Sequence, residues 1–345
     1  MPWIEPRYLE STVYLYPSEK EADDGDAIGG SGFIVGIPVD EDRRQSLLFV
    51  VTNKHVVDDG NMVVRLNTVD GKRDTLALDG EHWFFHPDGD DLAVCPIGAN
   101  PLHKAAYYFV PAASLITKED IREFEIGPGD DVFIIGRFIN HEGKQQNLPS
   151  ARFGNIAQMP WEPIVIDGFP QESFLVEARS IAGYSGSPVF VYCQPPPVPH
   201  NLNPVVKNKV RSGELSLPGV SRKRLDIPIR LGPWLLGIDY CHIRWDEPVL
   251  NKQTGKPVNP DWFIKSNTGM MGVIPAWKLQ EIFQGPELGP LIDAYKKHIA
   301  KEPKKSSAVE LDSAKSPEST DENPKGREDF TFLLNAAARK QKQGD

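Results

Sequence analysis

Residues 183–190 read Gly183-Tyr184-Ser185-Gly186-Ser187-Pro188-Val189-Phe190. A serine between two glycines marks a backbone that turns tightly. The apolar run after Pro188, through Tyr192, reads as a buried strand. A turn followed by a strand sets the Ser185 hydroxyl at the lip of a sheet.

A serine hydroxyl is a weak nucleophile at neutral pH. It needs a histidine to take its proton and an acid to hold the imidazole in one tautomer. Two upstream segments offer these groups. Thr52-Asn53-Lys54-His55-Val56-Val57 puts His55 directly after an apolar strand, and Asp91-Leu92-Ala93-Val94 puts an acid at the start of another. Asp90, in the acidic turn Asp88-Gly89-Asp90-Asp91, is the competing acid. Asp91 follows His55 by 36 residues and Ser185 follows Asp91 by 94. That order differs from those of subtilisins and α/β-hydrolases. A hydrolase elbow G-x-S-x-G also fails, because position 187 is serine and no alternation of strands and helices surrounds it. The spacings leave room for His55 and Asp91 on one barrel and Ser185 on a second.

The rest of the chain supports an all-β reading. Short β-forming runs at 11–16, 33–37, 46–52, 62–66, 82–85 and 92–97 are separated by turn residues, and 31 prolines and 29 glycines fit a loop-rich fold. An acidic loop is expected at 19–26. A helical connector at 114–124 leads to a second β-rich block with runs at 132–137, 152–158, 173–178, 188–192 and 234–238. Residues 194–229 open on three prolines and read as a long surface insertion, with a second insertion at 246–267. Residues 270–274 form a last strand and 275–283 a short amphipathic helix, with another helix near 291–299. Residues 301–345 form a charged tail too poor in apolar residues to fold, apart from a short helix or docking motif at 330–339.

Composition limits the function. The net charge of −10 disfavours nucleic acid as the main partner. The basic clusters at 207–211 and 222–224 read as solvated loops. The N-terminus has no basic start followed by an apolar core, and no run reaches the roughly 18 apolar residues of a membrane helix. Three cysteines, Cys95, Cys193 and Cys241, fit free thiols in a reducing, cytoplasmic setting, with a Cys193–Cys241 bridge as the alternative. His82 and His86 stand four apart but lack the pattern of helical zinc peptidases. Residues 21–26 lack the ligand spacing of a calcium loop. Neither metal nor cofactor is expected.

Seven segments in order carry a family resemblance: GGSGF (29–33), TNKHVV (52–57), DLAV (91–94), GDDVFIIG (129–136), GYSGSPVF (183–190), LLGI (235–238) and GVIPAWKLQEI (272–282). Together they resemble the trypsin-like serine peptidases of chymotrypsin fold, in particular the bacterial HtrA/Deg-like catalytic domain. The resemblance implies one peptidase domain over residues 1–300. It would hold two six-stranded antiparallel β-barrels, at about 10–112 and 127–285, with the active site between them. It implies Ser185 as nucleophile, His55 as general base and Asp91 as its orienting acid. The backbone N–H groups of Gly183 and Ser185 would form the oxyanion hole. Arg179 would lie near the specificity pocket, favouring acidic or polar residues there. Asp239, Tyr240 and Cys241 would flank the bound peptide. The implied activity is that of a serine endopeptidase on protein or peptide substrates, with the tail as a docking element for a partner. The alternative is a catalytically silent module that binds peptides through its insertions and tail. A non-peptidase acyl hydrolase is a third reading.

Two residues depart from the family pattern Gly-Asp/Asn-Ser-Gly-Gly-Pro: Tyr184 and Ser187. In secreted trypsins the acid at the first position pairs with a new N-terminus. Tyr184 cannot, so activation by that route is not expected, and Ile28-Gly29-Gly30 reads as the lead-in to the first barrel. No Deg-type PDZ domain is expected after the C-terminal helix.

Overall fold

The computed structural model describes residues 4–27, 29–39, 45–101, 107–138, 141, 143–166, 168–178, 183–193, 209, 212 and 231–301. Arg179, nearly all of the 194–229 insertion and the tail from 302 onward lie outside them.

The first unit is a curled sheet. Its strands are β1 (Thr12–Tyr16), β2 (Gly30–Pro38), β3 (Gln45–Thr52), β4 (Val63–Asn67), β5 (Arg73–Ala77), β6 (Phe84–Phe85), β7 (Ala93–Pro101) and β8 (Val110–Pro111). They pair in the order β5-β4-β1-β2-β3-β7-β6, with β8 on β2. This path stays open among the described residues, whereas the resemblance implied a closed barrel. The second unit does close. It comprises β9 (Asp131–Gly136), β10 (Ser150–Gln158), β13 (Phe174–Glu177), β14 (Pro188–Cys193), β15 (Leu231–Pro248) and β16 (Phe263–Pro275), in the order β10-β13-β16-β15-β14-β9. The pair β11 (Ile164–Ile166) and β12 (Phe169–Gln171) stands beside it as a two-stranded sheet.

The run Ser46-Leu47-Leu48-Phe49-Val50-Val51 is apolar without alternation because both faces of β3 are buried. Leu48 and Val50 join Val13, Leu15, Ile34 and Val64 in a cluster inside the curl. Leu47, Phe49 and Val51 face the other way, into a cluster continuous with the second barrel and the C-terminal helices. Phe49 meets Phe283 at 5.1 Å between ring centroids, and Tyr8 meets Phe190 at 5.0 Å. Strand periodicity therefore feeds two cores from one strand, and the second joins the two units.

Six helices punctuate the sheets: α1 (Pro6–Glu10), α2 (Glu19–Asp24), α3 (Lys54–Asp58), α4 (Lys118–Glu123), α5 (Trp277–Gln284) and α6 (Gly289–Lys301). The expected acidic loop is α2. Ser18 caps it by accepting from the Glu21 N–H, acids fill the first turn, and Gly25 ends it in a left-handed conformation at φ 72°.

The expected insertion at 246–267 is also different. Strands β15 and β16 run on past the barrel and stay paired from Cys241↔Gly272 out to Pro248↔Phe263. The segment is the outer half of a long hairpin. Cys95 and Cys241 are free thiols, which removes the bridge alternative.

Candidate active site

His55 sits in the short helix α3, directly after β3. Asp91 lies in the turn before β7, and β3 and β7 are hydrogen-bonded neighbours. Sheet register therefore carries both residues to one end of the first unit. Asp91 Oδ2 lies 2.6 Å from His55 Nδ1, and Asp91 Oδ1 accepts the His55 backbone N–H at 2.9 Å. The neighbouring Asn53 donates its amide to the Asp91 carbonyl at 2.8 Å. Both oxygens of Asp91 and its carbonyl thus engage the Asn53–His55 segment. Asp90 points elsewhere, to Lys278 and His86.

Burial opposes protonation of His55. The hydrogen bond to Asp91, together with the negative charges of Asp91, Asp59 and Asp239, outweighs it and raises the imidazole above its ordinary range. The other ring nitrogen, Nε2, is left for chemistry.

Ser185 lies on a turn held from both units. Its carbonyl accepts the Ser31 N–H of β2 at 2.9 Å, and the Ser31 hydroxyl donates to the Gly183 carbonyl at 2.9 Å. Thr52, at the end of β3, donates to the Ser31 carbonyl at 2.8 Å. On the barrel side, Gly186 N–H donates to the Asp239 carbonyl at 2.8 Å and Asp239 N–H to the Ser187 carbonyl at 2.9 Å. Gly183 and Gly186 have φ of 94° and 85°, and a Cβ on Gly186 would fall 2.0 Å from the Ser31 carbonyl oxygen. The G-Y-S-G pattern thus has a local cause: positive φ and contact with another strand.

A Cβ on Gly30 would fall 2.8 Å from both Val56 methyls and 3.5 Å from the Ser185 carbonyl oxygen. The residue after His55 and the serine turn therefore flank one glycine. Among the described residues no hydrogen bond joins Ser185 to His55.

Tyr184 is buried. Its hydroxyl lies 2.6 Å from Ser150 Oγ and accepts from Arg152 Nε at 2.9 Å, and the guanidinium lies 4.8 Å from the ring centre. The position that carries an acid in the family pattern is here a neutral side chain anchored to β10.

Asp239 and Tyr240, expected beside a peptide, bury their side chains. The Tyr240 hydroxyl accepts from Ser173 at 3.0 Å, and burial pushes its pKa well up. Any contact they make with a peptide would fall to the main chain. Burial likewise pushes the Cys241 thiol up to about 12. Ser31, Thr52 and Gln171 were not singled out in the sequence. Each acts through long-range hydrogen bonds, and nothing in its own neighbourhood announces that.

A closed β-barrel packed against a curled sheet, with paired His and Asp on one and a glycine-flanked serine on the other, defines the chymotrypsin-like, trypsin-type peptidase fold. No family model matches the chain, and no curated protein matches it. Three solved structures align over most of its length. The MamO protease domain from Magnetospirillum magneticum is 16% identical, with 80% of this chain and 96% of that one covered and a TM-score of 0.42. Rv3671c from M. tuberculosis, a serine-to-alanine mutant in an inactive form, is 13% identical, with 81% and 88% covered and a TM-score of 0.37. The protein titled HBP is 9% identical, with 83% and 94% covered and a TM-score of 0.41. The fold assignment stands on the chain's own sheet topology. Among the described residues, no helix is long and apolar enough to cross a membrane.

Proposed function

We propose that this protein is a serine endopeptidase using Ser185, His55 and Asp91. The observation that carries the reading is the two-point contact of Asp91 with His55, at 2.6 Å to Nδ1 and 2.9 Å to the backbone N–H. It orients Nε2, the nitrogen a base must present to the serine. Ser185 Oγ attacks the scissile carbonyl while Nε2 takes its proton. The backbone N–H groups of Gly183 and Ser185 receive the oxyanion. His55 then returns the proton to the leaving amine, and water, activated by the same base, releases the acyl group. Free protein requires Ser185 Oγ to turn toward Nε2, a movement substrate binding readily supplies. Substrates are proteins or peptides in extended form, and no metal or cofactor enters the scheme.

Labelling with a fluorophosphonate tests this. The wild type should become modified and Ser185→Ala should not. The labelling rate should rise with pH through the raised His55 midpoint, because only neutral imidazole accepts the proton. Asp91→Asn should lower both that midpoint and the rate, the rate by about 10⁴-fold. A wild type that stays unmodified alongside a reacting control peptidase would favour the silent peptide-binding module. Modification with turnover of esters but never of peptides would favour an acyl hydrolase.

A further inference from the structure

Behind Asp91, on the side away from His55, runs a chain of buried polar contacts that the proposed chemistry does not use. Gln171, at the end of β12, is 1% exposed. Its carbonyl oxygen accepts the Asp91 N–H at 3.1 Å, and its amide donates to the Asp90 carboxylate at 2.9 Å and to the Glu172 carbonyl at 3.3 Å. Asp90 is itself buried. Its second oxygen lies 3.1 Å from Lys278 Nζ, on α5, and 3.1 Å from His86 Nδ1. Lys278 also lies 3.4 Å from both Glu172 and Glu281, and Glu281 returns to His86 Nε2 at 2.9 Å. Three parts of the chain meet at Asp90: the loop that carries Asp91, the end of β12, and the C-terminal helix α5.

Donor and acceptor chemistry dictates this arrangement. The Gln171 oxygen must face an N–H and its nitrogen a carboxylate, so the amide has one orientation. A buried carboxylate persists only with a cation and hydrogen bonds, and Lys278 and Gln171 supply them. Asp91 is then held at both ends of its main chain, its N–H by Gln171 and its carbonyl by Asn53. Donor atoms of His86, Asp88 and Glu281 lie within 4.8 Å of one another, a spacing a metal could use. Lys278 already supplies the cation there.

We infer that Gln171, Asp90 and Lys278 are positioning residues for the Asp91–His55 pair, so that docking of α5 sets the register of the acid. The inference rests on the peptidase reading and names the distant residues that reading needs. The helix bearing Lys278 is a lever on the His55 tautomer.

The test uses the full chain. Gln171→Met removes both the acceptor and the donor at similar volume. Lys278→Gln keeps a donor to Asp90 and removes its charge. The double variant Gln171→Glu/Asp90→Asn exchanges amide and carboxylate across the same contact and conserves net charge. The introduced carboxylate accepts from the Asp91 N–H and from the introduced amide, whose oxygen faces Lys278. Two readouts apply: the fluorophosphonate labelling rate of Ser185, and the titration midpoint of the His55 ring by NMR. The carboxylates facing that ring are Asp91, Asp59 and Asp239.

Both breaking variants should label on the order of 10- to 100-fold more slowly, as misplaced catalytic groups do. Both should lower the His55 midpoint. For Lys278→Gln this is opposite to the direct effect of deleting a positive charge, which would raise it. The exchange variant should return both readouts close to wild type. Unchanged labelling and midpoint in the breaking variants would overturn the inference, as would an exchange variant that fails to recover. If the wild type itself does not label, the peptidase reading fails separately. The midpoint then decides alone: lowered and restored, the coupling stands; unmoved, it falls.

Discussion

Ser187 and Gly136 meet face to face at the mouth of the second barrel. A Cβ on Gly136 would lie 2.2 Å from Ser187 Oγ and 2.9 Å from a Tyr184 ring carbon. The space that the family pattern leaves with a glycine at 187 is left here with a glycine at 136. Gly136→Ala should cost about 1–3 kcal/mol by overpacking, and adding Ser187→Gly should recover part of it. Denaturant unfolding measures both, and equal midpoints for wild type and Gly136→Ala would show the neighbours moving aside freely. His55 carries a different balance. Its raised midpoint means that the pair with Asp91 stabilises the fold below the unfolded midpoint of histidine, and that this contribution is lost as pH rises through the folded midpoint. The base works only above that midpoint, so the charged pair and the reactive state occupy opposite sides of one titration.

Strands β15 and β16 extend beyond the barrel as a two-stranded arm. Trp245 is 65% exposed, and Trp262, Phe263 and Ile264 are also more than half exposed. An exposed aromatic arm is uncommon on a protein surface, yet among the described residues it contributes nothing to the core. Trp245 pairs with Ser266, so residues 246–265 can be replaced by an Asn-Gly turn without changing register. The shortened protein should keep its melting midpoint and its closed barrel. A large fall in that midpoint would mean that the arm packs on the body. This element was not legible in the sequence. Both of its faces are wet, so no apolar alternation marks it, and its tip is rich in turn residues. The acidic run at 19–24 was misread for a related reason: its charges suggested a loop, while the Ser18 cap and Gly25 make a helix.

Across the molecule, the two units are tied by a buried arginine. Arg65 on β4 is fully buried. It donates to Asn147 Oδ1 at 2.7 Å, to the Ala22 and Lys144 carbonyls at 3.1 Å and to the Gly143 carbonyl at 2.8 Å, with Tyr16 stacked at 5.0 Å. Asn67 and Asn147 exchange bonds of 2.7 and 2.9 Å beside it. The connection between β9 and β10 of the barrel is thereby pinned to the first sheet. Arg65→Met leaves four acceptors without their donor, and roughly 3–5 kcal/mol of stability should be lost. A loss below about 1 kcal/mol in denaturant would show water replacing the guanidinium.

The sequence by itself determined the strand-rich class, the two-part division and the three groups to watch, because strands, tight turns and a glycine-flanked serine are local signals. It also marked Asp91 above Asp90, though only through resemblance. The tertiary structure decided which acid faces His55, since side-chain direction in a turn depends on the partner strand. It revealed why Tyr184 and Ser187 are accommodated, through Ser150, Arg152 and Gly136, all distant in the chain. It also exposed Gln171 and Lys278, 80 and 187 residues beyond Asp91. Contacts at such separations leave no periodicity or motif, because only folding brings their partners together.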